Sequence, residues 1–130
     1  MGHIGLTPQS IRCLGGYKVA GRQPAEIKQL MSDAKILEKA GAFSIVLECM
    51  PPATAGKITA TLHIPTIGIG AGPHCDGQIL VSHDMLGFTG NVSPRFVKRY
   101  ADLSVQIKNA VVRFKKDVER RQFPAKEHCY

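Results

Sequence analysis

The residue best placed for chemistry in this chain is Glu48, which closes an apolar run inside FSIVLECMPP, Phe43 to Pro52. A carboxylate at the carboxyl end of a buried strand lies where α/β folds gather their site residues, and the chemistry it offers is proton transfer. Glu48 is therefore the leading catalytic candidate; as a strand-end acid it would equally serve to pair with a surface lysine. His3, in GHIGLTPQS, is either a ligand-facing ring or an ordinary loop residue. Gly68, Gly70 and Gly72, in IPTIGIGAG, would let the backbone approach a phosphate or an extended cofactor closely. A dinucleotide fingerprint needs another glycine where Pro73 stands, and no helix opens at once, which excludes a Rossmann site. In GGYKVAGRQ, residues 15 to 23, three glycines accompany Tyr17, Lys18 and Arg22, a composition that suits a lid over a site or a plain exposed connection. His74, Cys75 and Asp76 are consecutive, so they cannot all aim at one ion and read as a structural turn. His83 and Asp84 either orient each other or cap the next segment, with no nucleophile paired to them.

The elements that must position these residues follow from periodicity. Ile45, Val46 and Leu47, two of them β-branched, predict a parallel strand buried on both faces and stopped by Pro51 and Pro52. Thr7 and Pro8 suit the start of a short helix, and the chain leaves no room for a strand before it, so His3 is expected at a strand end whose strand is missing. Pro24 begins an amphipathic helix with Ile27, Leu30, Met31, Ala34 and Leu37 on one face, ending before Gly41. A shorter helix is expected over Ala53 to Leu62, a strand in IPTIGIGAG and a third over Gln78 to Ser82. Pro94 is expected to start a basic helix through Tyr100, followed by a long helix striped by Leu103, Ile107, Ala110 or Val111, Phe114 and Val118. Core packing is the default for that stripe, and a barrel wall or another subunit would also suit it. QFPAKEHCY reads as a loose tail.

The totals narrow the class. At 130 residues and 44% hydrophobic content, the chain suits one domain, 1–130, with a real core. Its apolar runs are strand-length and no basic-then-apolar leader opens it, which predicts a soluble cytoplasmic protein with no membrane partner. The four cysteines fit neither a metal knuckle nor a compact disulfide framework. The formal charge is +7, concentrated between Arg95 and Arg121, where nine basic residues face three acids. Without interleaved aromatics or a reading motif, that charge reads as a solvated helix face and predicts no nucleic-acid partner.

Strand, site-like end and helix recur as βαβ units, whose right-handed crossovers would bring all the strand ends to one face. A closed barrel of such units takes roughly 250 residues, so this chain would supply about half of one. On GHIGLTPQS, LGGYKVAGR, VLECMP, IPTIGIGAG, HCDGQILVSHD and FPAKEH, from residue 2 to the end and in order, the chain resembles the C-terminal half of the ketopantoate hydroxymethyltransferase family. The resemblance implies an α/β fold of the (β/α)8 TIM-barrel type, this chain covering the end of strand 5 to strand 8 plus the C-terminal helices. His3 would lie at the fifth strand, with Glu48, Gly68 to Gly72 and His83 at the sixth, seventh and eighth or their ends. It also implies a transferase of pantothenate biosynthesis, using magnesium and 5,10-methylenetetrahydrofolate to convert 3-methyl-2-oxobutanoate into 2-dehydropantoate. By motif, Glu48 matches the base that removes the C3 proton and His3 a residue lining the substrate site. The family's magnesium-binding acids, and a lysine and serine that hold the substrate, belong to its N-terminal half, so no metal ligand is expected in this chain. Small-molecule substrates are implied, with a homo-oligomer or a complementary N-terminal half as partner. The alternative is a catalytically incomplete half-barrel that self-associates.

Overall fold

The computed structural model describes residues 1–10, 16, 18–88 and 94–130. Four strands, β1 (Gly2–Gly5), β2 (Ile45–Glu48), β3 (Thr66–Ile69) and β4 (Gly77–Gln78), form one parallel sheet in chain order. Between them run α1 (Pro24–Lys39) and α2 (Pro52–Thr59); α3 (Ser82–Met85) and α4 (Leu103–Glu119) follow, with short 3-10 turns at Pro8–Ser10 and Lys126–His128. The chain divides into two compact units, Met1–Leu80 and Val81–Tyr130.

In the first unit, β2 pairs on both sides, Gly2 to Gly5 aligning with Ile45 to Glu48 and those in turn with Thr66 to Ile69. Alternation of side chains sends Ile45 and Leu47 to one face, where both are fully buried with Ile4, Ala34, Met50, Ala55, Ile58 and Ala71. Leu30, Met31 and Leu37 of α1 pack on this cluster, as the helical spacing predicts. Val46 faces the other way and is half-buried, so the expectation of a strand buried on both faces is corrected: one face is fully buried and the other only partly covered. The expected missing strand at the start is corrected too. Four residues suffice for β1 because β2 supplies a partner along its whole length.

α1 begins at Pro24 and gives way to Gly41, whose φ of +90° closes the helix end, with Ala42 N–H reaching the Leu37 carbonyl at 3.1 Å. α2 is shorter than expected. Its end tightens into i to i+3 bonds from Thr61 to Ile58 and from Leu62 to Thr59, which turns Leu62 and Ile64 back onto the core. β4 is also shorter than the expected Gln78 to Ser82. The last ladder bond is Ile79 N–H to the Gly68 carbonyl; Ile79 and Val81 are exposed, and Ser82 already opens α3.

In the second unit, residues 94–100 form a turn, Val97 N–H to the Pro94 carbonyl, instead of the expected helix. Tyr100 N–H then bonds the Met85 carbonyl and Leu103 N–H that of Leu86, which ties the approach to α4 onto the end of α3. α4 forms over the expected stripe, yet none of its residues is buried, and Val105, Val111 and Phe114 are more than half exposed; within this unit the stripe is not core. The segment after it is not loose: the Phe123 ring meets Phe114 edge-on at 5.4 Å and lies 5.2 Å from the His128 ring.

Candidate active site

Parallel pairing sets the site. Because His3 aligns with Val46 and Gly5 with Glu48, the His3 and Glu48 side chains project from the same sheet face of adjacent strands, diagonal to each other. The His3 Nε2 and Glu48 Oε2 atoms are 2.9 Å apart, with side chains 33% and 16% exposed, so the pair is shielded but reachable. Among the described residues, the second carboxylate oxygen, Oε1, has no hydrogen-bond partner. One oxygen of Glu48 is thus oriented by the ring and the other remains available to accept a proton.

The backbone around Glu48 is held from three sides. Its carbonyl accepts the Leu6 N–H at 3.0 Å, Cys49 N–H donates to the Ile69 carbonyl at 2.9 Å, and the Cys49 carbonyl accepts the Ala20 N–H at 3.0 Å. Cys49 itself has φ of +51°, the left-handed turn that ends the strand. Gly5, at φ +97°, lies so close to the Glu48 carbonyl that a Cβ there would overlap it. Burial, then the charge of Glu48, pushes the Cys49 thiol above its ordinary value, while the Arg22 guanidinium pulls it back; the charge of Arg22 therefore reaches the residue next to Glu48.

Arg22 and Lys18 belong to the segment expected as a lid; Tyr17 lies outside the described residues. The described end of this segment is pinned. The Glu26 carboxylate accepts the N–H groups of Gly21, Arg22 and Gln23 at 3.1, 3.0 and 3.3 Å, which holds its pKa below the usual carboxylate range. The Thr54 hydroxyl donates to the Gly21 carbonyl at 3.0 Å. Lys18, Val19, Arg22, Gln23 and Glu26 together line a cavity of about 390 Å³.

The three glycines expected to admit a ligand have different surroundings. Gly68 is buried, with Cys75 Sγ and the Gln78 amide on the side where a Cβ would stand; Gly72, at φ +78°, lies against the Pro52 ring; Gly70 has φ of +64°. Gln78 Nε2 also donates to the Gly72 carbonyl at 2.8 Å. Asp76 anchors the turn after β3, its carboxylate accepting both the N–H and the hydroxyl of Thr66 at 2.8 and 3.0 Å. His83 lies in α3, where its ring meets Phe88 edge-on at 5.4 Å. Sequence reasoning did not find Glu26, Thr54 or the Thr66–Asp76 clamp. The Gln23-x-x-Glu26 spacing is a capping-type signal that points to the first of these; the other two join segments too far apart to leave one.

Magnesium, which the resemblance implies, takes oxygen donors in near-octahedral geometry, usually carboxylates with waters. Here the site offers one carboxylate whose Oε2 is already bound to an imidazole, and among the described residues no group of three His, Cys, Asp or Glu side chains converges. These residues do not by themselves fit such an ion.

A family model described as ketopantoate hydroxymethyltransferase matches residues 1–126. Proteins named 3-methyl-2-oxobutanoate hydroxymethyltransferase align with the whole of this chain. That of Carboxydothermus hydrogenoformans is 56% identical over 130 residues, with 47% of its own length covered. The Nitratidesulfovibrio vulgaris (strain DP4) protein is 57% identical with 42% covered, and the Caldicellulosiruptor bescii protein 53% identical with 49% covered. The chain thus spans somewhat less than half the length of these curated relatives.

Proposed function

The chain belongs to the ketopantoate hydroxymethyltransferase family, and from that premise we propose that it carries the proton-abstracting part of a one-carbon transferase, with Glu48 as the base. In this reading β1 to β4 are strands five to eight of a (β/α)8 barrel, and residues 1–130 are one partial barrel domain. The parallel order of the sheet and the helical crossovers support that placement. The substrate is 3-methyl-2-oxobutanoate and the one-carbon donor 5,10-methylenetetrahydrofolate. Glu48 Oε1 takes the C3 proton and the enolate carbon adds to the donor's methylene group; water then supplies the hydroxyl oxygen as the bond from that carbon to the folate nitrogen breaks, so that 2-dehydropantoate and tetrahydrofolate result, a step of pantothenate biosynthesis in the cytoplasm.

The observation that carries the reading is the His3–Glu48 pair, which sets the carboxylate at the carboxyl end of β2 against a ring from the adjacent parallel strand β1. A proton next to a carbonyl is weakly acidic, so its removal requires a carboxylate held at one angle and shielded from bulk water, and the three backbone ties supply that rigidity. His3 holds Oε2 and so leaves Oε1 for the reacting proton; its ring also lines the substrate side of the sheet. Gly70, on the loop after β3, is the backbone position assigned to close approach of substrate or donor, while Gly72 shapes that loop and Gly68 lies within β3 against Gln78. Lys18, Arg22 and Tyr17 are assigned to the segment that borders the site. The family's magnesium acids are assigned outside this chain.

Among the described residues no helix is long and apolar enough to cross a membrane. The exposed apolar side chains of α4 favour association, either with the remaining half of the barrel or with further copies; a self-associating, catalytically incomplete half is the second reading they support. The test is proton NMR of 3-methyl-2-oxobutanoate in heavy water with this chain, alone and mixed with the N-terminal half of a relative. Loss of the C3 proton signal is expected, and Glu48→Gln should abolish it. Exchange that persists in Glu48→Gln would remove Glu48 from the role of base.

A further inference from the structure

The cavity beside the site has a charge pattern that the proton-transfer step does not use. Of its charged lining groups, the Glu26 carboxylate is committed to three backbone N–H groups at the start of α1, so it answers the helix end. Lys18 and Arg22 form no ion pair among the described residues and both are exposed, although the Arg22 charge also acts on the Glu26 carboxylate across the cavity. The segment that carries them is nevertheless fixed where it matters. Ala20 N–H is bonded to the Cys49 carbonyl and the Thr54 hydroxyl to the Gly21 carbonyl, which holds the backbone between the two cations beside the end of β2, and the Arg22 charge acts on Cys49 there. Two cations on an anchored backbone, beside an apolar Val19 wall in about 390 Å³, make a recess for a group bearing carboxylates next to a flat apolar ring.

We propose that Lys18 and Arg22 bind the glutamyl carboxylates of the one-carbon donor, with Val19 against its aminobenzoyl ring. This rests on the assignment of the donor made above and deepens it. The donor's other end, the pteridine, must then reach toward Glu48, where the methylene group is transferred. The keto acid also carries a carboxylate, so the same cations have a second candidate ligand. The size of the recess favours the longer tail, and the direct comparison separates the two.

The experiment is calorimetric titration of the full chain, together with the Lys18→Ala, Arg22→Ala, Arg22→Lys and double-alanine variants. The ligands are tetrahydrofolate, tetrahydropteroate (the same molecule without its glutamate) and 3-methyl-2-oxobutanoate. Tetrahydrofolate is expected to bind at least about tenfold more tightly than tetrahydropteroate, a preference that shrinks with salt. The double variant should erase the preference while leaving tetrahydropteroate unchanged, and Arg22→Lys should retain part of it. Equal binding of the two pterins would overturn the tail assignment while the functional reading stands. Weaker keto-acid binding in the variants, with the pterins unaffected, would give the cations to the keto acid and overturn it as well. Binding of neither pterin would overturn both the tail assignment and the reading it rests on.

Discussion

Replacing Gly5 with alanine tests whether the site's geometry is set by the backbone crossing between β1 and β2. At φ +97° a non-glycine residue is strained by about 1–3 kcal/mol. The new Cβ would also displace the Glu48 carbonyl, at the expense of the 3.0 Å bond from Leu6 N–H, about another 1 kcal/mol. The expected loss is therefore about 2–4 kcal/mol, read from urea denaturation as a lower midpoint with an unchanged slope. Since the displaced group is the main chain of Glu48, the His3 ring resonances should move at the same time. A loss below about 0.5 kcal/mol, or a large loss with the His3 signals unmoved, would refute the claim that Gly5 links fold and site.

Other predictions follow from individual contacts. Thr54→Val keeps the shape but leaves the buried Gly21 carbonyl without its donor; about 1–3 kcal/mol should be lost, with faster amide exchange over 20–23. The bonds from Thr66 hold the Asp76 pKa below its ordinary 3.8, so their contribution is complete above that value and disappears as pH falls through the lower folded value. Asp76→Asn should therefore be less stable than the parent at neutral pH, and thermal melts should show the difference narrowing on acidification. Ser44 buries a hydroxyl for which no hydrogen-bond partner is found among the described residues, so Ser44→Ala should be neutral or stabilise by up to about 1 kcal/mol in urea denaturation.

The sequence announced the parts whose signals are local. Ile45 to Leu47 and the spacing from Ile27 to Leu37 locate β2 and α1, and the carboxylate at the end of β2 marks the site. What it could not show depends on distant partners. The strand at Gly2 to Gly5 exists because residues some 43 positions later pair with it, and a sequence window at the start contains only a glycine-flanked histidine. Ile79 to Val81 are apolar enough for a strand, yet after the bond to Gly68 no further ladder partner holds them extended among the described residues. The stripe on α4 displays its period plainly, but the period alone does not say whether the face meets the core; in the second unit it does not. His3 was visible as a candidate, whereas its bond to Glu48 became legible only once register was known.

The separation of His3 from Glu48 also governs the order in which the protein is made. The two residues stand 45 positions apart in the chain, about twice the span that joins β2 to β3. Closing the longer loop carries roughly 0.6 kcal/mol more entropy, and it profits from a β2 edge already braced by β3 and α2. On loop closure alone, the shorter crossover is expected to form first and β1 to join after it, so that the carboxylate is in place before the histidine that orients it. In reverse, β1 is expected to leave β2 before β2 leaves β3, so the pair is taken apart while the strand that bears the carboxylate still stands.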